Sequence, residues 1–185
     1  MSKLFAGFSW CLVLIYPFIV FFGLRVLPLT YIGLFFVALA GLRLLLLRSQ
    51  AKKNVLPILL SLVLLLVAAH ALLSNDSSGL RFYPVAVNAV LLFVFATSLR
   101  SETSFIERLA RISEPDLHPE AIEYTRKVTI AWCLFFVVNG VIALYTALFA
   151  SFDTWALYNG AIAYGLIGLL FGVEWIIRRG VKKGH

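Results

Sequence analysis

The sequence predicts an all-α integral membrane protein with about six transmembrane helices and both termini in the cytoplasm. The first observation behind this prediction is composition: 62% of the 185 residues are hydrophobic, 14% are charged and the mean hydropathy is +0.96. Soluble domains are about half apolar and about a quarter charged. A water-soluble fold of this length could not cover so much apolar surface, so lipid must cover the excess.

The second observation is the length of the apolar stretches. A transmembrane helix needs about 20 mostly apolar residues, and six stretches meet that requirement. They are residues 4–24, 29–47, 55–73, 82–99, 128–149 and 156–177. Because most of the connections are short, the whole chain, 1–185, is predicted to be a single membrane domain.

The third observation is the distribution of basic residues. All but two of the 16 Lys and Arg residues lie near the N-terminus, in alternate connections or near the C-terminus; the exceptions are Arg25 and Arg81. Such a bias orients a membrane protein with its basic segments in the cytoplasm. The net charge of +7 is therefore an orientation signal, with anionic lipid contact as a secondary role. No nucleic-acid-binding motif accompanies it, so nucleic acid is not an expected partner.

Prolines mark the beginnings of several elements. Pro17 lies inside the first span and predicts a kink there, whereas Pro57 and Pro84 lie in the first turns of the third and fourth spans, where proline costs little. No small-residue cleavage site follows the first span, so we interpret it as a retained helix and not as a signal peptide.

The segment 100–127 between the fourth and fifth spans is the longest polar connection. Ser104 and Glu107 have the spacing of a capping box, which predicts a short amphipathic helix at the cytoplasmic surface. A break at 114–119 follows, and Pro119 is predicted to begin a helix that continues into the fifth span. The charged residues of this segment form a candidate docking surface: Glu107, Arg108, Arg111, Arg126 and Lys127.

The sixth span carries a stripe of small residues that is typical of close helix packing. The stripe consists of Ala161, Gly165, Gly168 and Gly172. Packing within the chain is the favoured interpretation, and packing against a second copy stays open, as does the oligomeric state. Trp155 and Tyr158 are expected to join an aromatic belt, and Glu174 is expected to pair with Arg178, four residues on.

Polar side chains inside spans are costly and need a partner or a purpose. The candidates near the outer halves of the last three spans are Asn88, Asn139, Asn159, Arg81, Tyr83 and Tyr158. One interpretation is a polar cavity, with Arg81 attracting an anionic group. The favoured interpretation is that the asparagines hydrogen-bond helices to one another.

No residue pattern in the chain indicates catalysis. The sequence contains no nucleophile motif, no phosphate- or dinucleotide-binding loop and no metal-ligand spacing. Cys11 and Cys133 lie in separate apolar runs without an activating histidine. We therefore expect a non-enzymatic protein with no catalytic residue, no metal and no cofactor.

Several short segments in the C-terminal 60% of the chain resemble a known protein family. They are Arg81-Phe82-Tyr83-Pro84 with Asn88, Ile106-Glu107-Arg108-Leu109-Ala110, Tyr124-Thr125-Arg126-Lys127-Val128-Thr129 with Trp132-Cys133, Asn139-Gly140, Leu157-Tyr158-Asn159-Gly160 after Trp155, and Glu174-Trp175. Together they resemble a family of uncharacterised bacterial inner-membrane proteins whose genes accompany fatty-acid-synthase-like clusters, such as those for aryl-polyene lipids. The same region is more distantly similar to the septation protein A family of inner-membrane proteins.

These resemblances imply a place in the bacterial inner membrane and a role in envelope synthesis through protein contacts. We therefore expect an accessory or scaffold protein in cell-envelope lipid or aryl-polyene biosynthesis. The expected partners are membrane lipids and an acyl carrier protein, a synthase or other envelope-biogenesis proteins. The alternative is a small lipid or solute transporter that uses a polar cavity between the last three helices.

Overall fold

The computed structural model describes residues 16–47 and 55–183, with side chains described as far as residue 177. All regular structure in these ranges is helical, as predicted. The elements are α1 (Tyr16–Val26), α2 (Leu29–Leu47), α3 (Leu56–Ser74), a 3₁₀ turn (Ser77–Phe82), α4 (Tyr83–Ser98), α5 (Phe105–Ser113), α6 (Pro119–Phe149), α7 (Phe152–Leu157), a π-helical segment (Tyr158–Ile162) and α8 (Ala163–Lys183).

Five helical stretches in the described ranges are long and apolar enough to cross a membrane. They are Leu29–Leu47, Leu56–Ser74, Ser77–Ser98, Pro119–Phe149 and Phe152–Ile177. No more than 33% of each span is buried inside the protein, so at least about two thirds of its residues keep some exposed surface, as they do in proteins surrounded by lipid. α1 is a shorter apolar helix, and residues 4–15 of the first predicted span lie outside the described residues.

Two helices begin at other residues than the sequence predicted, and a third begins where it was predicted. The fourth span begins with the 3₁₀ turn at Ser77 and not at 82. The helix predicted to begin at Pro119 does so and continues without a break to Phe149. The last span begins at Phe152 instead of 156, because Ser151 caps a short helix there by accepting a hydrogen bond from the Thr154 amide at 3.2 Å.

The connection between α3 and α4 is a tight turn. Asn75 adopts the left-handed conformation at φ 51° and ends α3, a conformation that asparagine tolerates better than most residues. Asp76 then caps the 3₁₀ turn by accepting hydrogen bonds from the Ser78 hydroxyl and amide. These bonds, the hydroxyl first, hold the pKa of the Asp76 carboxyl below its usual value.

Two helix pairs form the frame of the bundle. α2 packs against α3, and Gly33 allows the close approach because a Cβ there would lie 2.5 Å from Leu72 Cδ2. α4 packs antiparallel against α6, with Phe95, Trp132 and Phe136 in a shared aromatic cluster. A second cluster around Tyr16, Phe36 and Tyr83 joins α1, α2 and α4.

The predicted short helix α5 lies against α4 and α6. Its capping box is formed as predicted, with Ser104 and Glu107 exchanging hydrogen bonds. The Phe105 amide donates to Ser98 Oγ at 2.9 Å, the Ile106 amide donates to Thr129 Oγ1 at 3.4 Å, and the Phe105 ring lies 4.1 Å from that of Phe95. α5 is therefore anchored to the bundle by partly buried contacts.

Candidate functional site

Asn88, Asn139 and Tyr158 form one hydrogen-bonded chain across three helical elements. Asn139 Nδ2 donates to Asn88 Oδ1 at 3.1 Å, and the Tyr158 hydroxyl donates to Asn139 Oδ1 at 2.8 Å. Asn88 Nδ2 donates within its own helix to the Pro84 carbonyl at 2.8 Å. α4, α6 and the π-helical segment are thereby joined through buried side chains.

Gly140 allows the two asparagines to approach. A Cβ at this position would lie 3.2 Å from Asn88 Cβ, closer than ordinary van der Waals contact. A larger residue beside Asn139 would therefore push α4 away from α6. The Asn139-Gly140 pair supplies both the hydrogen-bonding group and the space for its partner.

Asn159 joins the π-helical segment to α6 by a separate set of bonds. Its Nδ2 donates to the Trp155 carbonyl at 2.9 Å and to Thr146 Oγ1 at 3.2 Å. Thr146 in turn donates to the Ala143 carbonyl at 2.9 Å. Asn159 Oδ1, however, is buried without a hydrogen-bond partner.

Arg81 binds the end of α6. Its Nη2 donates to the carbonyls of Thr146 and Ala150, each at 2.6 Å, and these carbonyls belong to the last turn of the helix and its cap. A cation at this position also complements the negative end of the helix dipole. The arrangement identifies a clamp between helices, in contrast to the interpretation that Arg81 attracts an anionic group.

Trp155 and Tyr158 do not form a lipid-facing belt. Trp155 is fully buried, and its Nε1 donates to the Arg81 carbonyl at 3.0 Å. Tyr158 is buried on Asn139. The belt prediction was wrong for these two residues, because their polar atoms find partners within the bundle and their rings fill its interior.

A cavity of about 70 Å³ lies between α1, α4, α6 and the last span. Its polar lining residues are Tyr16, Tyr83, Asn88, Asn139, Asn159 and Tyr164. The Tyr16 hydroxyl donates to the Leu80 carbonyl at 3.1 Å, whereas the Tyr83 hydroxyl is buried without a partner. Two of the lining residues, Tyr83 and Asn159, thus each carry a buried polar atom without a hydrogen-bond partner, Tyr83 Oη and Asn159 Oδ1.

Arg43 is a polar residue of the interior that sequence reasoning counted only as part of a basic flank. It is 5% exposed, and its Nε and Nη1 atoms are buried without hydrogen-bond partners. Because α2 is apolar on every side, its sequence does not mark the face on which Ile32, Phe36, Ala40 and Arg43 are buried.

The candidate docking surface divides into internal and external residues. Glu107 is 3% exposed and accepts two bonds from Arg111, at 2.9 and 3.0 Å, so these two residues stabilise α5 itself. Arg108 and Arg126 are exposed, and Lys127 is exposed and paired with Glu123. Leu109 and Ile112 on α5 are exposed as well.

The small-residue stripe lies on the outside of the bundle. Ala161, Gly165, Gly168 and Gly172 are all exposed, and among the described residues nothing lies within 4 Å of a Cβ built at any of the three glycines. α8 instead contacts α6 through large side chains, with the Phe171 ring 4.7 Å from that of Trp132. Packing of the stripe within the chain is therefore not seen in the described ranges.

The remaining predictions concern ion pairing and metal binding. The Arg178 side chain lies outside the described residues, so its predicted pair with Glu174 does too. Within the ranges that are described, no three His, Cys, Asp or Glu residues come together in a group that could hold a metal ion.

Comparison of the chain with protein-family models, with curated proteins and with solved structures finds no match.

Proposed function

We propose that this chain is a non-enzymatic, multi-pass protein of the bacterial inner membrane that acts as a scaffold in cell-envelope lipid or aryl-polyene biosynthesis. In this proposal the chain crosses the membrane six times and both termini lie in the cytoplasm. The alternation of basic and non-basic connections supports this orientation. Asp153 then lies on the outer side, and α5 lies on the cytoplasmic side.

The observation that carries the scaffold proposal is the way α5 is held. Partly buried hydrogen bonds from the Phe105 and Ile106 amides anchor one side of the helix, and the Glu107–Arg111 ion pair stabilises it. Arg108, whose Nε donates to the Thr103 carbonyl at 3.2 Å, and Ile112 are both exposed on this helix. A rigid helix with exposed basic and apolar residues suits recognition of a folded partner, since little ordering is needed on binding.

An acidic partner fits this surface best. Arg108, Arg126 and Lys127 are exposed around the start of α6 and along α5, and complementary charge favours encounter with an acidic surface. An acyl carrier protein or a synthase with an acidic docking surface is the class we propose. Glu114 and Asp116 lie in the same segment, so the basic residues must act locally and not through the net charge of the segment.

The test is crosslinking and co-purification from native membranes with the variant Arg108→Glu/Arg126→Glu. We expect the partner to be lost while membrane insertion and abundance stay unchanged. Arg25→Glu is the matched control, because Arg25 is exposed and paired with Asp153 far from α5. Retention of the partner by the double variant, or equal loss with Arg25→Glu, would contradict the docking proposal.

A small lipid or solute transporter is the second candidate, and the cavity beside Asn139 is the observation in its favour. Against it, Asn88, Asn139 and Tyr158 are already bonded across closed helices. Transport would require these bonds to break and reform. A crosslink between cysteines that replace Asn88 and Asn139 would lock α4 to α6. It should abolish transport but leave docking intact.

A further inference from the structure

The cavity between α1, α4, α6 and the last span has an uncharged lining. The described residues that line it are tyrosines, asparagines, prolines and apolar residues, with no Lys, Arg, His, Asp or Glu among them. An ion inside a membrane span is costly when no opposite charge accompanies it. The cavity therefore suits an uncharged group.

Two of the lining residues carry hydrogen-bonding atoms that the described part of the protein does not use. Tyr83 is 2% exposed and Asn159 is 4% exposed, and neither the Tyr83 hydroxyl nor Asn159 Oδ1 has a hydrogen-bond partner. The hydroxyl can donate, whereas the amide oxygen can only accept. A ligand that satisfies both residues must offer an acceptor to Tyr83 and a donor to Asn159. A hydroxyl group is a small uncharged group that is both.

Tyr83 and Asn159 lie at the same end of the cavity. Arg81, two residues before Tyr83, donates to the Thr146 carbonyl at 2.6 Å. Asn159 Nδ2 donates to Thr146 Oγ1 at 3.2 Å. The start of α4 and the start of the last span therefore meet α6 at one level, and a polar group at this level has both residues beside it.

The other end of the cavity is apolar and partly exposed. Its lining residues there are Leu91, Phe135 and Ile167, and each of them keeps some exposed surface. On α4, Leu91 lies about 12 Å along the helix axis from Tyr83. An alkyl chain can therefore leave the cavity at this end while its polar group stays beside Tyr83 and Asn159.

We propose that this cavity binds the hydroxyl end of an uncharged amphiphile, such as a long-chain alcohol. The ligand oxygen accepts a hydrogen bond from Tyr83, its O–H group donates to Asn159 Oδ1, and its alkyl chain passes Leu91 and Ile167. At about 70 Å³ the cavity is smaller than the roughly 150 Å³ cavity that holds benzene, so it encloses only the hydroxyl and the first carbon atoms. No residue of α5 lines the cavity, so the site is independent of the docking proposal.

The test is photocrosslinking to the full chain in nanodiscs of dioleoyl phosphatidylcholine, a lipid that has no hydrogen-bond donor. The probe is dodecanol with a diazirine in the middle of its chain, and mass spectrometry locates the label. We expect saturable labelling at the apolar end, on Leu91, Phe135 or Ile167. An absence of saturable labelling at this end would mean that water alone fills the cavity and would overturn the proposal.

Competition by unlabelled analogues tests the chemistry of the polar end. Dodecyl methyl ether keeps an oxygen that accepts from Tyr83 but lacks the O–H that donates to Asn159. It should therefore compete about threefold to tenfold less well than dodecanol. Dodecane, which has no polar group, and dodecyl phosphate, which is charged, should compete more weakly still. Competition by any of the three that equals that of dodecanol would refute a site for an uncharged hydroxyl group.

Two variants and two matched controls locate the site. Tyr83→Phe removes the unused hydroxyl and should weaken binding of both dodecanol and its methyl ether about threefold to tenfold. Tyr145→Phe changes an exposed tyrosine outside the cavity lining and should bind as the unmodified protein does. Ala163→Leu fills part of the cavity and should abolish saturable labelling, whereas Ala161→Leu, at an exposed position, should leave it unchanged.

The preference for dodecanol over its methyl ether arises at Asn159 and should therefore persist in Tyr83→Phe. Unchanged binding by Tyr83→Phe, or equal weakening by Tyr145→Phe, would contradict the assignment of the hydroxyl. Saturable labelling that survives in Ala163→Leu would place the ligand elsewhere. Because these two variants change different residues, each still tests the proposal if the other fails to fold.

Discussion

The Asn139 side chain donates a hydrogen bond to Asn88 Oδ1 at 3.1 Å and thereby joins α6 to α4 inside the apolar bundle. The same Asn139 side chain accepts a bond from Tyr158 at 2.8 Å. One residue thus links three helical elements. In a membrane, where apolar association between helices is weak, such bonds and close packing determine which helices stay together.

Replacing Asn139 should loosen this junction. We expect Asn139→Leu to lower the free energy of unfolding by about 1–2 kcal/mol, because Asn88 and Tyr158 both lose a buried partner. Unfolding in mixed micelles with increasing sodium dodecyl sulfate measures the change. Val138→Leu, at a neighbouring outward-facing position, is the control and should change it by less than about 0.5 kcal/mol.

A double-mutant cycle isolates the bond itself. Asn88→Leu and Asn139→Leu, alone and combined, should show a coupling energy of about 0.6 kcal/mol and no more than about 1.7 kcal/mol, the range found for hydrogen bonds between membrane helices. Additive effects of the two changes would show that the side chains stabilise the bundle separately.

The Arg81 clamp predicts an unequal effect of two arginine substitutions. Arg81→Met should cost about 2–3 kcal/mol, because two carbonyls at the end of α6 lose a charged donor. Arg25→Met removes an exposed ion pair with Asp153 and a cation–π contact with Phe21 and should cost less, about 1 kcal/mol. Hydrogen exchange at the last turn of α6 should quicken in Arg81→Met alone; equal exchange in both variants would argue against the clamp.

A glycine inside the bundle and a glycine on its outer surface should respond differently to replacement by alanine. Gly140→Ala should destabilise the protein by about 1 kcal/mol, since its Cβ would press on Asn88. Gly168→Ala should cause no loss of stability in the monomer, because among the described residues its Cβ would contact nothing. Unfolding midpoints of the two variants in dilute detergent test this contrast. A destabilised Gly168→Ala monomer would mean that this glycine packs within the chain.

The capping box gives a local prediction for α5. Ser104→Ala should destabilise this helix by about 1 kcal/mol, because the Glu107 amide loses the side chain that caps it. Ser113→Ala, at the exposed end of the same helix, should have little effect. Hydrogen exchange of the α5 amides measures both, and equal protection in the two variants would show that packing alone holds the helix.

The length of the apolar stretches and capping chemistry predicted the helical elements well. The five spans in the described ranges, the capping box at Ser104 and the helix start at Pro119 all follow from local sequence. The inward position of Arg43 was not predicted, because a basic residue near the end of a span satisfies the orientation rule whether it points outward or inward. Only the neighbouring helices decide between those directions.

The pairing of the polar residues was harder to predict for the same reason. The sequence identified Asn88, Asn139 and Asn159 as costly residues, but it could not assign Asn139 to Asn88 and Asn159 to Thr146. The small-residue stripe of α8 has the same limit. The spacing of Gly165, Gly168 and Gly172 indicates close packing but does not identify the surface that packs against it. Partners depend on how whole helices are arranged, which no local pattern contains.

Cysteine accessibility in intact cells tests the central claim most directly, namely that lipid surrounds the helices and separates Asp153 from α5. Single cysteines would be placed at Asp153, Ser113 and Val141 in a chain in which Cys11 and Cys133 are replaced by alanine. A membrane-impermeant maleimide should label the Asp153 position in intact cells, the Ser113 position only after permeabilisation and the Val141 position in neither state. Labelling of Ser113 from outside, or ready labelling of Val141, would contradict the account.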